Sequence, residues 1–450
     1  MRDIALALVF VAMLLGGVRH VYAASMVWMW TAMAAPNTFL FGFLQAMPLN
    51  KIAVGVALLA LLADRAKRKF IIDPSFAFHS LFILQGTVTL IFSLTDIPRT
   101  YDLFDKMLKI WLLVCVMRVA NRERLQLHAL VIMLALSLGV HGVLEGFKYV
   151  LTFGSHKVQA SGTLGDNNSF AMAMLMMLPF FAYLVKYSAL AVMRWAFGGI
   201  GMLVMIGIIA SASRGAVVGL VVLGGMMVMQ SRHKAMGLLI AAALGIAVVS
   251  LAPTQWLDRM NTIQHAESDG SFMNRVASWK LNTIVALNRP LTGGGFSALE
   301  DYRVYQQFVG QFSMLDFIPS EQPSGVLAAH SIYFEVIGDT GLVGFVLFLS
   351  IMASWYLNLR QVKRLSRAGP ALAWARDLAV ALEQSLIVYL VTGAALSAAY
   401  FENVYIEATL ASMLLASVRE TVQARVLNPL DALMARRPAV EVMPWAQPRR

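Results

Sequence analysis

Three polar side chains lie beside apolar runs, in positions where they could take part in chemistry: Arg214, Arg275 and His330. The planar guanidinium of an arginine suits phosphate oxygens, and two arginines on one face would neutralise a diphosphate where the dielectric is low. A histidine titrates near neutral pH and can serve as a general base. Together these residues predict a site that binds a phosphate-bearing substrate and takes a proton from an attacking group.

Each of these residues also has a simpler interpretation. Arg214 follows small residues in "SASRGA", which leave space for a ligand or allow close helix packing, but it could also reach towards lipid headgroups. Arg275 could be a solvated arginine of a loop. His330 could be a polar residue at the start of a helix, with Ser331 as the helix N-cap. It is their joint position on one predicted membrane face that favours the chemical interpretation.

Two acids follow His330 in "AHSIYFEVIGDTGLVGF": Glu335 and Asp339. On a continuous helix a step of five residues turns by about 140°, so Glu335 is predicted to lie off the face that carries His330. We expect both acids to be structural, with Glu335 as the partner of an arginine. A helix break at the glycines of this stretch would explain how polar groups are tolerated at depth in a membrane.

Further polar residues are predicted on the same face and are candidate substrate contacts: Lys148, Asp166, Asn167 and Glu402. Asp166 and Asn167 belong to "GTLGDNNSFAM", which is either a turn with a helix cap or a loop that contacts a sugar. No HExxH and no Ser-His-Asp spacing occurs, and the single cysteine, Cys115, lies in an apolar run. We therefore expect neither a metal site nor a cofactor.

The composition places these residues in a membrane protein. The chain of 450 residues is 59% hydrophobic and 14% charged, and its mean hydropathy is +0.68. Apolar runs near membrane-spanning length recur along it. The net charge of +11 comes from basic clusters between these runs, a distribution typical of cytoplasmic loops and not of a nucleic-acid-binding surface.

The fold class is therefore predicted to be an all-α polytopic membrane protein with about 12 transmembrane helices and one large, partly helical external loop. The predicted helices lie at roughly 4–17, 21–35, 50–63, 75–94, 103–120, 125–150, 169–186, 192–210, 214–230, 235–252, 330–356, 379–399 and 404–419.

The basic clusters set the predicted orientation and the domains. Loops at 63–69, 118–124, 231–234 and 359–370 are predicted to be cytoplasmic, because Lys and Arg collect there. The predicted domains are an N-terminal transmembrane bundle (1–252), an external loop domain (253–329), C-terminal transmembrane helices (330–420) and a basic cytoplasmic tail (421–450). On this orientation the arginines and His330 share the external face.

The ordered set "SGTLGDNNSFA", "SASRGA", an external loop with "NR…W" (Arg275 to Trp279) and "PLTGGGF", and "AHSIYFEVIGDTGLVGF" resembles the superfamily of O-antigen ligases (WaaL) and O-antigen polymerases. The likeness is strongest across about 160–350. The opening "MRDIALAL" resembles a subgroup of O-glycosylation ligases associated with exosortase systems. No single motif is specific by itself, so the order of the motifs within the predicted topology carries the resemblance.

The resemblance implies an inverting, metal-independent glycosyltransferase of the GT-C type in lipopolysaccharide biosynthesis. It would move a glycan from undecaprenyl diphosphate to a sugar hydroxyl of lipid A-core, in the bacterial inner membrane, with the active site facing the periplasm. By their positions in the motifs, Arg214 and Arg275 would bind the donor diphosphate and His330 would be catalytic. The implied partners are the lipid-linked donor, the lipid A-core acceptor and membrane lipids, without nucleic acid.

Two alternatives remain open from the sequence. The first stays inside the superfamily: a polymerase that extends the lipid-linked glycan, or a ligase that glycosylates protein. The second is a transporter of lipid-linked glycan without chemistry, which predicts polar residues at the bilayer midplane and repeated halves. The polar residues instead collect at one predicted face, and no repeat is visible.

Overall fold

The computed structural model describes residues 2–64, 70–120, 123–158, 164–230, 234, 235, 239 and 270–427. Within them the chain is helical and contains no β-strand. The α-helices are α1 (Arg2–Arg19), α2 (Val21–Met33), α3 (Leu49–Ala63), α4 (Pro74–Ile91), α5 (Pro98–Ala120), α6 (Arg124–Leu151), α7 (Asn167–Tyr187), α8 (Ala191–Ala210), α9 (Arg214–Gln230), α10 (Gly270–Asn288), α11 (Tyr302–Val309), α12 (Ile332–Leu365), α13 (Ala373–Thr392) and α14 (Glu402–Leu427). The helix predicted at 235–252, the first part of the external loop and the tail beyond 427 lie outside the described residues.

Six of the described helical segments are long and apolar enough to cross a membrane. They are α4, α6, α7, α8 and the segments 332–368 and 370–395, which begin with α12 and α13. The helices α3 and α9 are apolar but shorter. A multi-pass helical membrane protein follows from these lengths and compositions, whereas the number of about 12 spans stays a prediction.

Helices α5 and α14 carry charged residues within their length and are not among these six segments. The first half of α5 carries Asp102, Asp105, Lys106 and Lys109, and α14 begins at Glu402. Both helices are nevertheless packed into the bundle, where α14 contacts α5, α12 and α13. Asp102 and Asp105 are exposed, whereas Lys106 pairs with Glu402 where α5 meets the start of α14.

A buried polar network joins four helices at the end of the bundle opposite the start of α12. Arg118 is 1% exposed and its Nη1 lies 2.8 Å from Asp73 Oδ1. Asn358 Nδ2 donates to the other oxygen of Asp73 at 3.0 Å, and Arg118 Nη2 donates to Ser412 Oγ at 3.2 Å. A buried cation needs such partners, because leaving it unpaired would be strongly destabilising. The network fixes α4, α5, α12 and α14 relative to one another.

The external loop has an apolar cluster of its own, separate from the core of the bundle. Leu281, Ile284 and Val285 of α10 pack with Val304 and Phe308 of α11. This packing is expected of α11, because it is a short helix whose apolar and polar residues lie on opposite faces. Helix α10 packs in turn against α12, so this loop is seated on the helix that follows His330.

Helix α12 is interrupted at Gly341, whose φ of 72° and ψ of −172° lie outside the helical region. The break predicted at Gly338 and Gly341 is confirmed at Gly341. A side chain at this position would place its Cβ 2.5 Å from the carbonyl oxygen of Pro290, which explains why a glycine is needed.

The backbone groups freed by this break are satisfied by residues 290–296, called here the glycine segment. Leu342 N donates to the carbonyl of Pro290 at 2.7 Å. Gly294 N and Gly295 N donate to the carbonyls of Gly338 and Asp339 at 2.9 and 3.0 Å. Backbone groups in a membrane must find partners within the protein, and here the external loop supplies them.

Candidate functional site

A cavity of about 280 Å³ opens where the starts of α5, α7 and α12 meet the segment that joins α13 to α14. On the predicted orientation it belongs to the external face. The charged and hydroxyl side chains that line it are Arg99, Lys106, Asp166, Ser169, His330, Glu335, Ser397 and Tyr400. Distant parts of the chain, from residue 99 to residue 400, thus contribute to one space.

His330 lies at this cavity in an unusual backbone conformation. Its φ is 48°, in the left-handed region that non-glycine residues seldom adopt. Such a conformation costs about 1–3 kcal/mol and persists where the surroundings hold it. Its backbone N–H donates to Ser397 Oγ at 2.7 Å. Ser331 takes the N-cap position of α12, but its hydroxyl makes no capping hydrogen bond.

Asp166 has the predicted role of a helix cap, and the predicted contact with a sugar stays a prediction. It is the N-cap of α7, where its Oδ1 accepts from the backbone N–H groups of Asn168 at 2.6 Å and Ser169 at 3.0 Å. It also lines the cavity with His330. The preceding Gly165 has a φ of 66°, which is the turn conformation expected of a glycine there.

The turn before Arg214 is joined to this loop by two hydrogen bonds. Asn167 Nδ2 donates to the carbonyl of Ser211 at 2.9 Å, and Ser213 Oγ donates to Asn168 Oδ1 at 2.7 Å. Ala212, between the serines, has a φ of 49°, so the chain reverses sharply into α9. These bonds place Arg214, the first residue of α9, beside the start of α7.

Arg275 of α10 and Asp166 both act electrostatically on His330. The pKa of His330 is lowered from its ordinary value, first by partial burial and then by the positive charge of Arg275, while the negative charge of Asp166 opposes the shift. A lowered pKa keeps the imidazole neutral, and therefore able to accept a proton, at neutral pH. Neither Arg275 nor Arg214 is among the described residues that line the cavity.

The expectation that Glu335 lies away from His330 is wrong, since both line the same cavity. The helical rotation does not apply, because α12 begins at Ile332 and His330 precedes it with a positive φ. Glu335 is 8% exposed, and its Oε2 accepts from the backbone N–H of Ala399 at 2.8 Å, which is a backbone partner and not the expected arginine.

Asp339 has the structural role expected of it. Its Oδ1 accepts from the backbone N–H of Ser297 at 3.0 Å, and its Oδ2 accepts from the Tyr400 hydroxyl at 2.9 Å. It is 4% exposed. Asp339 thus connects the external loop to the segment between α13 and α14, which forms one wall of the cavity.

Lys106 and Ser397 also line the cavity, and no motif in the sequence predicts this. Lys106 follows a charged turn of α5, and its Nζ lies 2.9 Å from Oε2 of Glu402, one of the predicted contacts. The hydroxyl of Ser397 is one of several in an apolar region and has no motif around it. Only the packing of α5 against α14 reveals that these residues share a cavity.

Lys148, another predicted contact, is not brought to the cavity. Its Nζ lies 2.6 Å from Oε1 of Glu145 on the same helix, and the other oxygen of Glu145 lies 2.6 Å from His156 Nε2. These residues form a separate cluster at the end of α6. Among the described residues no group of three or more His, Cys, Asp or Glu side chains could hold a metal ion.

Comparison with protein families gives two matches. Residues 1–189 match the model of a family of unknown function (DUF5935). Residues 199–349 match the model described as O-antigen ligase. No curated protein matches the chain. The matched O-antigen ligase region contains Arg214, Arg275 and His330, and it supports the resemblance to the superfamily of O-antigen ligases and polymerases.

Proposed function

We propose that the protein is an O-antigen ligase: an inverting glycosyltransferase of the GT-C type that moves a glycan from undecaprenyl diphosphate to a sugar hydroxyl of lipid A-core. The observation that carries the proposal is that His330 and Asp166 line one cavity while Arg275 acts electrostatically on His330. Arg275 and His330 both lie in the region that matches the O-antigen ligase model. A neutral histidine beside a fixed cation suits the transfer of a sugar from an anionic leaving group.

The donor diphosphate lies between Arg214 and Arg275 in this proposal. Two observations support it. Hydrogen bonds from Asn167 to Ser211 and from Ser213 to Asn168 hold the turn before Arg214 at the start of α7, and the charge of Arg275 acts on His330. Guanidinium groups bind phosphate oxygens in a planar, paired geometry. They would stabilise the charge that develops on the diphosphate as its bond to the sugar breaks.

His330 acts as the general base. The acceptor oxygen attacks the anomeric carbon from the side opposite the diphosphate, His330 takes the hydroxyl proton, and the diphosphate leaves with the bonding electrons. The reaction inverts the anomeric centre, because a single displacement occurs. In the bacterial inner membrane, this site would face the periplasm, and membrane lipids would surround the undecaprenyl tail.

Reconstituted transfer tests the proposal. Purified protein is supplied with a labelled undecaprenyl-diphosphate glycan and with lipid A-core, and the product is separated by size. Arg214→Ala should lower the rate on the order of a hundredfold, since removing one such donor costs about that much. His330→Ala should abolish most of the transfer. Arg367→Ala, an exposed arginine in the turn after α12, is the control and should transfer normally.

Two outcomes contradict the mechanism. Near-normal transfer by Arg214→Ala would remove the diphosphate role, and full activity in His330→Ala would remove the base. A product that forms only when a second lipid-linked chain or a protein replaces lipid A-core would instead identify a polymerase or a protein O-glycosylation ligase that uses the same donor.

A further inference from the structure

The cavity beside His330 is not built as a second phosphate site. Its cations already have carboxylate partners: Lys106 Nζ lies 2.9 Å from Glu402 Oε2, and Arg99 Nε lies 3.3 Å from Glu300 Oε2. The two arginines assigned to the diphosphate do not line it. An incoming anion would therefore compete with the carboxylates of Glu402 and Glu300, which already pair with these cations.

Hydrogen-bond donors and acceptors are mixed around the cavity. Lys106 is a donor, Asp166 and Glu335 are acceptors, and the Ser397 hydroxyl can donate because its oxygen accepts from His330 N. The bond from Ala399 N engages one oxygen of Glu335, so the carboxylate retains acceptor capacity. A sugar hydroxyl both donates and accepts, and a mixed lining of this kind is its complement.

The size and the remaining lining also suit a sugar ring. Cavities for small ligands are mostly apolar, with a few placed polar groups, and begin at about 300 Å³. This cavity, at about 280 Å³, has Leu103, Met172 and Phe401 among its lining residues. It has room for a compact ring and little more, so a glycan chain or a lipid tail must continue outside it.

We propose that this cavity binds a neutral sugar ring, whose hydroxyl is the acceptor, and that Lys106 and Glu335 bind the other hydroxyls of that ring. The proposal rests on the proposed function, because the ring is the acceptor on account of the neighbouring His330. The donor diphosphate and the acceptor ring then occupy different spaces on either side of His330, and Lys106 and Glu335 determine which acceptor sugars fit.

Binding of simple sugars tests this without requiring transfer. The full-length protein is placed in phospholipid nanodiscs, and saturation-transfer NMR measures the binding of neutral methyl glycosides of the gluco, galacto and manno series, with glucose 6-phosphate alongside. At least one neutral glycoside should bind, and glucose 6-phosphate should bind more weakly. Glu335→Gln and Lys106→Met should each weaken binding on the order of tenfold, as expected for lost hydrogen bonds to charged groups.

Matched variants separate sugar binding from folding. Lys109→Met lies one turn further along α5, is paired with Asp105 outside the cavity, and should bind sugar like the parent protein. Lys106→Met alone leaves the carboxylate of Glu402 without its partner, which could itself weaken binding. The double variant Lys106→Met, Glu402→Gln removes both charges of the ion pair. If sugar binding is still weak in the double variant, the loss is due to Lys106 and not to an unpaired Glu402. In transfer assays, the KM for the acceptor should rise in Glu335→Gln while the KM for the donor stays unchanged.

The inference is overturned if no neutral glycoside binds, if glucose 6-phosphate binds more tightly than all of them, or if Glu335→Gln and Lys106→Met bind like the parent. Its failure and that of the proposed function are distinguishable. Transfer without glycoside binding would remove the cavity assignment alone, whereas normal transfer by Arg214→Ala with intact glycoside binding would remove the diphosphate site alone.

Discussion

His330 is surrounded by groups that control its protonation. Arg275 lowers its pKa and Asp166 raises it, while partial burial is the largest cause of the net lowering. The backbone of His330 is also fixed by Ser397 in a strained conformation. A base held in this way remains neutral at lower pH than a free histidine, and it needs little reorganisation when the acceptor arrives.

The pH dependence of transfer should report these neighbours. The rate should fall on the acidic side as His330 becomes protonated, at a pH below the ordinary pKa of histidine. Arg275→Met removes the positive charge that lowers the pKa of His330, so this acidic limb should move to higher pH. Asp166→Asn removes the negative charge that raises the pKa of His330, so the acidic limb should move to lower pH. Rates measured across pH with both substrates saturating check the two directions, and limbs unmoved in both variants would contradict the role of His330.

At the residue level, sequence reasoning found some members of the candidate site and missed others for a physical reason. Asp166 and His330 stand beside a turn and a helix start, where polar residues need an explanation. Lys106 and Ser397 have no such local signal. Their place at the cavity depends on contacts with residues far away along the chain, Glu402 for Lys106 and His330 for Ser397, which no local pattern encodes.

At the level of single elements, the glycine segment and the break in α12 depend on each other. Carbonyl groups that α12 leaves free at Gly338 and Asp339 accept from the N–H groups of the glycine segment. Gln85 of α4 strengthens the junction, since its Nε2 donates to the carbonyls of Leu291 at 2.6 Å and Thr340 at 3.1 Å. Three elements thus meet beneath the cavity.

Replacing Gly341 should therefore destabilise the protein. Gly341→Ala forces a non-glycine residue into the left-handed region, at a cost of about 1–2 kcal/mol, and places its Cβ 2.5 Å from the Pro290 oxygen. The melting temperature in nanodiscs should fall by several degrees. Gly225→Ala in α9 is the control: its Cβ would meet nothing within 4 Å, so its melting temperature should be unchanged or slightly higher. Equal melting temperatures for both variants would show that the break tolerates a side chain.

Helix positions were largely predictable because long apolar runs have few alternatives in a membrane. The predicted helices at 50–63, 169–186 and 214–230 are confirmed within two residues at each end. Several ends differ. The helices α4 and α13 end before the predicted 94 and 399, at Ile91 and Thr392, and other helices continue beyond their apolar part. Thus α5 begins at Pro98 and not at 103, and α12 continues to Leu365 through the basic stretch after 356. Apolar content marks the part that meets lipid, whereas hydrogen bonding decides where a helix ends.

At the scale of the whole molecule, both ends of the bundle contain polar residues, but one end is a buried network and the other contains the cavity. The end with the Arg118 network is closed by buried groups that pair with one another, through Arg118, Asp73, Asn358 and Ser412. The other end contains the cavity and the seated external loop. A rigid end and an open end are expected of a protein that holds a lipid-linked substrate in one leaflet while admitting an acceptor from outside.

Cysteine labelling should establish which end faces which compartment. With Cys115→Ser as background, Glu321→Cys in the external loop should react with a membrane-impermeant maleimide in spheroplasts. Arg367→Cys, in the turn after α12, should react only after the membrane is opened. Both positions are exposed, so failure to react reports the membrane barrier and not burial. The reverse pattern would invert the predicted topology and place the cavity in the cytoplasm.

The pairing between the glycine segment and α12 has a consequence for biogenesis. The glycine segment precedes α12 in the chain and, on the predicted topology, is translocated before that helix enters the bilayer. The carbonyl groups of Gly338 and Asp339 at the break in α12 accept hydrogen bonds from the N–H groups of Gly294 and Gly295 in that segment. Insertion of α12 is then completed only once the translocated loop has docked on it, and the cavity cannot form earlier. The order of synthesis would thereby prevent a half-inserted protein from exposing a working site.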